Sequence, residues 1–145
     1  MKFKHRFTVK APLMRVAEFH SRSANMPKLT PPPMSTQLLN APEVLKGGDT
    51  MDFNLKLGPI KILWVAHLES LSLQGFTDRQ LIGPYKEWIH QHRFISVDET
   101  TTLVLDEIEL RLRKPPLWWM VGMGMYLSLP ILFTFRKWKT RRLLE

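Results

Sequence analysis

A chain of 145 residues, 44% hydrophobic and 23% charged, is long enough for one domain with a real core and too apolar to be disordered. It has no cysteine, which excludes disulfides and thiolate metal sites and fits a reducing compartment. Part of its formal charge of +8 gathers at one end, in Arg136, Lys137, Lys139, Arg141 and Arg142; such a run suits a solvated helix end, an anionic membrane surface or nucleic acid.

Phe3, His5, Phe7 and Val9 alternate with Lys2, Lys4, Arg6, Thr8 and Lys10, the period of a half-buried strand. No signal-peptide core follows this start, so a cytoplasmic protein is expected. Pro12 suits a first helical turn, and Leu13, Val16, Ala17 and Phe19-His20 predict a short amphipathic helix. Capping side chains from Ser21 to Asn25 predict a second short helix ending near Leu29. Thr30-Pro31-Pro32-Pro33 then forces extended chain, ahead of a short strand around Thr36–Asn40 and a loop through Lys46-Gly47-Gly48-Asp49.

From Thr50 to Arg113 the pattern is of antiparallel strands. Met51, Phe53, Leu55 and Leu57 alternate with polar residues, and Gly58-Pro59 turns the chain into a long strand, Ile60–Leu71. Turns at Ser72–Gly75, Gly83-Pro84 and Asp98-Glu99-Thr100 separate the later strands, giving a meander.

The tail is charge-free over the 21 residues from Pro115 to Phe135. Its length, its tryptophans and its basic flank satisfy a membrane-span template. Pro115, Pro116, Gly122, Gly124 and Pro130 interrupt it, and Ser128 before Leu129-Pro130 reads as a fresh helix start. Ile131, Phe135 and Trp138 then fall on one stripe, with Arg136, Lys137, Lys139 and Thr140 away from it. The tail is therefore expected to close onto the sheet as a helix within about 117–143; membrane association through Trp118–Phe135 and the basic end is the alternative.

The strand after Pro84 carries the chemistry. It sends Trp88, His90, His92 and Phe94 to one face and Lys86, Glu87, Gln91 and Arg93 to the rim or the other side. That stripe is too aromatic for bulk water and too polar for an ordinary core, which suits a cavity wall. Symmetric pairing about Glu99 sets Phe94 opposite Val104, His92 opposite Asp106, His90 opposite Ile108 and Trp88 opposite Leu110. A hydrogen-bonded His92–Asp106 pair is expected, with the imidazole pKa raised and the carboxylate ionised. The turn at Pro84 likewise sets Gln80 opposite Trp88 and Asp78 opposite His90.

The polar set Asp78, Gln80, His90, His92 and Asp106 suits three uses. It can be a network that satisfies buried groups, a recognition site for a polar head, or acid/base or metal chemistry. In the second use Trp64, Phe76, Trp88 and Phe94, with Val104 and Ile108, hold an apolar body. A metal lacks a third histidine, because His67 and Trp64 differ by an odd number and face opposite ways. No metal and no cofactor are expected. The loop at Lys46-Gly47-Gly48-Asp49 has no following Lys-Ser/Thr helix start, and no serine has nucleophile-elbow context. Met120, Met123 and Met125 suit core filler or a pliable lining. Only Trp138 interleaves the basic tail, so nucleic acid is not expected.

Leu29-Thr30-Pro31-Pro32, the Trp64 strand, Phe76-Thr77-Asp78-Arg79-Gln80, the run from Gly83 to Phe94, and Asp106 resemble the SRPBCC superfamily. Its relatives include START lipid-binding domains, the birch-pollen allergen family, polyketide cyclases and the bacterial proteins grouped simply as SRPBCC family proteins. The likeness spans roughly Phe3 to Arg113, and the Trp/Met/Gly-rich tail is greasier than the group's pattern. It implies an α+β helix-grip fold over 1–145. About seven antiparallel strands would curve around a long C-terminal helix, with two short helices after the first strand and a ligand cavity between sheet and helix. The expected role is carriage or sensing of a small, mostly hydrophobic molecule, without turnover. The alternative is a cyclase or dehydratase-like enzyme in which His90 or His92 moves a proton and Asp106 fixes the tautomer.

Overall fold

Alternation from Phe3 to Val9 produces β1 (Lys2–Val9), and the change of period at Pro12 produces α1 (Leu13–Ser21), in a computed structural model that describes residues 1–145. α1 buries Val16, Ala17 and Phe19. Where the sequence predicts one further short helix, the chain makes two single 3₁₀ turns, Ser23–Asn25 and Pro27–Leu29. Pro27 has no N–H to continue an α-helical ladder, so it opens a new turn.

Six more strands follow: β2 (Ser35–Asn40), β3 (Thr50–Leu57), β4 (Ile60–Ser72), β5 (Gly75–Ile82), β6 (Tyr85–Asp98) and β7 (Thr101–Leu112). They form one seven-stranded antiparallel sheet in the order β1-β7-β6-β5-β4-β3-β2. Gly75 is required where β5 begins. Its φ is +125°, and a Cβ there would lie 1.9 Å from the His92 carbonyl oxygen. Only glycine lets β5 approach the histidine strand this closely.

The tail is one continuous helix, α2 (Pro116–Leu144), with Pro130 inside it. The expected restart at Ser128 does not occur. Ser128 Oγ donates to the Met125 carbonyl at 2.7 Å and Thr134 Oγ1 to that of Pro130 at 2.7 Å, local bonds that support the backbone around the proline. Packing holds both halves against the sheet. Near the start, Tyr85 OH donates to the Gly122 carbonyl at 2.8 Å, and a Cβ on Gly122 would come within 2.9 Å of Leu112.

The buried face of α2 also differs from expectation. It consists of Gly122, Leu129, Phe133, Thr140 and Leu144, whereas Ile131 and Trp138 of the predicted stripe are exposed. Between Pro116 and Phe135 the helix is apolar all round, so periodicity alone cannot say which side turns inward. By length and composition α2 is also the one helix able to cross a membrane.

Two apolar clusters complete the core. One joins Trp64, Tyr85, Trp88, Leu110, Leu129 and Phe133 between sheet and α2. The other joins Phe7, Val9, Val16, Phe19, Phe94 and Val104 beneath α1.

Candidate functional site

The β6–β7 register follows the symmetry about Glu99: Phe94 pairs with Val104, His92 with Asp106, His90 with Ile108 and Trp88 with Leu110. On the other side Asp78 pairs with His90 and Phe76 with His92. The inner face of β5, β6 and β7 therefore gathers two carboxylates and two imidazoles within one sheet spacing.

The expected His92–Asp106 pair is present, but the two shortest bonds run diagonally to it. His90 Nε2 lies 2.8 Å from Asp106 Oδ1, and His92 Nε2 lies 2.7 Å from Asp78 Oδ2. The directly opposed contacts are longer, 3.3 Å from His92 Nδ1 to Asp106 and 3.7 Å from His90 Nδ1 to Asp78. Side chains lean along the strand, so each ring reaches the carboxylate one step along. The imidazoles stack on each other with centroids 3.6 Å apart, and Phe76 stacks on His92 at 4.1 Å.

Charge in this square is unequally shared. Burial pushes His92 down, but its bonds to Asp106 and Asp78 more than reverse this and raise its pKa to about 9. Burial and the neighbouring His92 charge hold His90 below the usual imidazole value, outweighing both carboxylates. Burial alone would raise Asp106 and Asp78; hydrogen bonds and charges from the histidines override it and keep both carboxyls below the ordinary range. At neutral pH the square thus holds two carboxylates, an imidazolium at His92 and a neutral His90. Because Asp106 is ionised, His90 donates Nε2–H to it, which leaves Nδ1 as the one free base.

Asp78, His90 and His92 present donor atoms within 4.8 Å of one another, a two-histidine carboxylate set. A divalent cation there would have to displace the His92 proton and its short hydrogen bond to Asp78.

The square forms one wall of a cavity of about 340 Å³ between the sheet and α2. Trp64, Phe76, Asp78, Trp88, His90, His92, Val104 and Asp106 of the predicted site line it. Three others do not. Phe94 and Ile108 sit in the core clusters. Gln80 grips the turn before β6, donating Nε2–H to the Tyr85 carbonyl at 2.8 Å and accepting the Tyr85 N–H at 3.2 Å. The β5–β6 pairing ends at Arg79–Ile89, so Gln80 never comes opposite Trp88. His67 is absent from the lining, as its odd spacing from Trp64 requires.

No protein-family profile and no curated protein matches the sequence. Solved structures do match. The Zhui aromatase/cyclase from Streptomyces sp. R1128 superposes with a TM-score of 0.71 at 15% identity, over 99% of this chain and 95% of that one. A START superfamily protein from Mycobacterium smegmatis gives 0.69 at 11% identity, over 98% of each chain. Norcoclaurine synthase from Thalictrum flavum, solved with dopamine and hydroxybenzaldehyde, gives 0.68 at 10% identity, over 99% of this chain and 85% of that one. The chain has the helix-grip fold. These neighbours agree with the resemblance to the SRPBCC superfamily, and the agreement is one of fold.

Two polar residues of the helix-grip cavity are not singled out by the sequence. His20, on α1, lines it beside Phe94; burial takes its pKa down to about 4, and Nδ1 is engaged by the Val16 carbonyl at 2.8 Å. Arg136, counted among the solvated charges of the tail, turns into the cavity. The spacing Leu129, Phe133, Arg136, Thr140 is the signal that places it on the inner face.

Proposed function

We propose that this protein binds a small, mostly apolar molecule inside the helix-grip cavity, as a carrier or sensor. One observation carries the reading: an aromatic cavity of about 340 Å³ with the Asp/His square on its β5–β7 wall. Apolar burial supplies affinity there, and groups that lose hydrogen bonds if wrongly paired select orientation. The test is fluorescence titration with N-phenyl-1-naphthylamine, a neutral apolar probe. The native protein should bind it, and Ala66→Phe, which pushes a ring in from the cavity wall, should weaken binding at least about tenfold with the fold retained. No binding, or equal binding by the filled variant, overturns the reading.

The free Nδ1 of His90 supports a second reading, a cyclase or dehydratase-like enzyme in which His90 takes a proton while Asp106 fixes its tautomer. Under it, His90→Gln removes turnover and leaves probe binding intact.

The outer face of α2 supports exchange of the ligand at an anionic membrane surface of the cytoplasm. Leu117, Met120, Leu127 and Ile131 fall on one side, at steps of three, seven and four residues, and are 67–70% exposed. Trp119 and Trp138, also exposed, stand near the two ends, with Arg113 and Lys114 before the helix and Lys139, Arg141 and Arg142 late in it. Ile131 also borders the cavity, as do the exposed Pro32 and Pro33 opposite, so the stripe reaches its mouth. The chain should sediment with phosphatidylglycerol vesicles and not with phosphatidylcholine vesicles, and Leu127→Asp with Ile131→Asp should abolish this. Indifference to the double substitution, or a dimer in solution that covers the stripe, overturns the membrane reading.

A further inference from the structure

Nearly every polar group around the cavity is already engaged. Asp78, His90, His92 and Asp106 bond one another. His20 is held by the Val16 carbonyl, and Ser128 donates to Met125. Thr36 pairs with Thr30, and Asn25 Nδ2 donates to the Phe19 carbonyl.

Arg136 is the charged exception. Its guanidinium lines the cavity, yet it enters no ion pair, although Asp78 and Asp106 lie near enough for it to feel their charge. Its Nε–H is fully buried with no acceptor. The Phe133 ring lies 5.1 Å below Cζ and steadies the guanidinium plane. The buried Nε–H with no acceptor costs free energy in the empty protein, and the costs of ordering the side chain have already been met when an acceptor arrives. The imidazolium of His92 cannot serve instead, because both its nitrogens face carboxylates.

We propose that the ligand is an anionic amphiphile, an apolar body bearing one oxyanion such as a carboxylate, and that Arg136 receives the oxyanion. This rests on the binding role proposed above and specifies its ligand class. The planar fork of a guanidinium matches the two oxygens of a carboxylate or sulfonate. The engaged Asp78 and Asp106 keep the opposite wall closed to a second anion, so one end of the ligand is charged and the rest is not. A free fatty-acid-like molecule and an aromatic acid share this chemistry.

Two probes with the same aromatic body separate the ideas. N-phenyl-1-naphthylamine is neutral; 8-anilinonaphthalene-1-sulfonate adds an oxyanion. In Arg136→Gln the sulfonate should lose affinity by about tenfold or more, as for a charge-assisted hydrogen-bond pair, while the neutral probe holds within about twofold. Arg15→Gln removes the same charge from the exposed side of α1 and should change neither. Equal loss in both Arg variants, or no loss in Arg136→Gln, overturns the assignment and leaves the cavity reading standing. Failure of both probes to bind the native protein overturns both. Should Arg136→Gln fail to fold, the native protein still decides. Decanoate should displace the neutral probe at about one tenth the concentration that decanol needs, and equal displacement overturns the proposal.

Discussion

Asp106→Ala should destabilise the protein by about 3 kcal/mol, the scale for removing one partner of a buried charged pair. Asp106 is 6% exposed and sits 2.8 Å from His90 and 3.3 Å from His92. Its loss leaves the His90 Nε2–H without an acceptor and the His92 imidazolium with one carboxylate in place of two. Asp106→Asn keeps the shape and one acceptor oxygen, so it should cost less than the alanine. Urea denaturation of the three proteins measures both differences. If the alanine variant loses under about 1 kcal/mol, a typical exposed-pair value, the square contributes no more than a surface ion pair.

Stability should also fall on the alkaline side of neutrality, which is unusual for a chain without titrating thiols. His92 in the folded protein keeps its proton to about 9, whereas an unfolded histidine titrates near 6.5. The stabilisation linked to that proton is complete below about pH 6.5 and is lost as pH rises through about 9, an effect of about 3 kcal/mol. His20 works the other way: burial keeps it neutral down to about 4, so stability declines as pH falls from about 6.5 towards that value. The depressed Asp78 and Asp106 stabilise above the ordinary carboxylate pKa and are lost only in stronger acid. The unfolding free energy should therefore peak near pH 6.5, and His92→Gln should flatten the alkaline limb. A native protein equally stable at pH 6.5 and 9 refutes the protonated His92.

Much of this was legible because strands impose a strict period. Once Glu99 is recognised as a turn centre, four cross-strand pairs follow from counting, and the carboxylate at 106 falls beside the histidines. Counting stops at Cβ. Which imidazole takes which carboxylate depends on how the rings lean and stack, and the two short bonds cross the register instead of following it. Gln80 lies away from its counted position because a turn's hydrogen bonds depend on local backbone geometry that spacing does not carry. The helix misled for a different reason. With apolar residues on every side, its inner face is chosen by fit to Tyr85, Leu112 and the cavity, and a basic residue among basic neighbours looks like solvent-facing charge until that choice is known.

The pairing of β1 with β7 joins Lys2 to Glu109 and Val9 to Thr102, and Arg141 of the final helix and Glu145 just beyond it tie back to Thr8 and Lys10. The first strand must wait for the seventh. During synthesis the meander from Thr50 onward can assemble hairpin by hairpin, whereas β1 stays unpaired until β7 has left the ribosome. Until the helix docks, the indoles and paired imidazoles face water, which makes the nascent protein a natural client for chaperones that shield apolar surface.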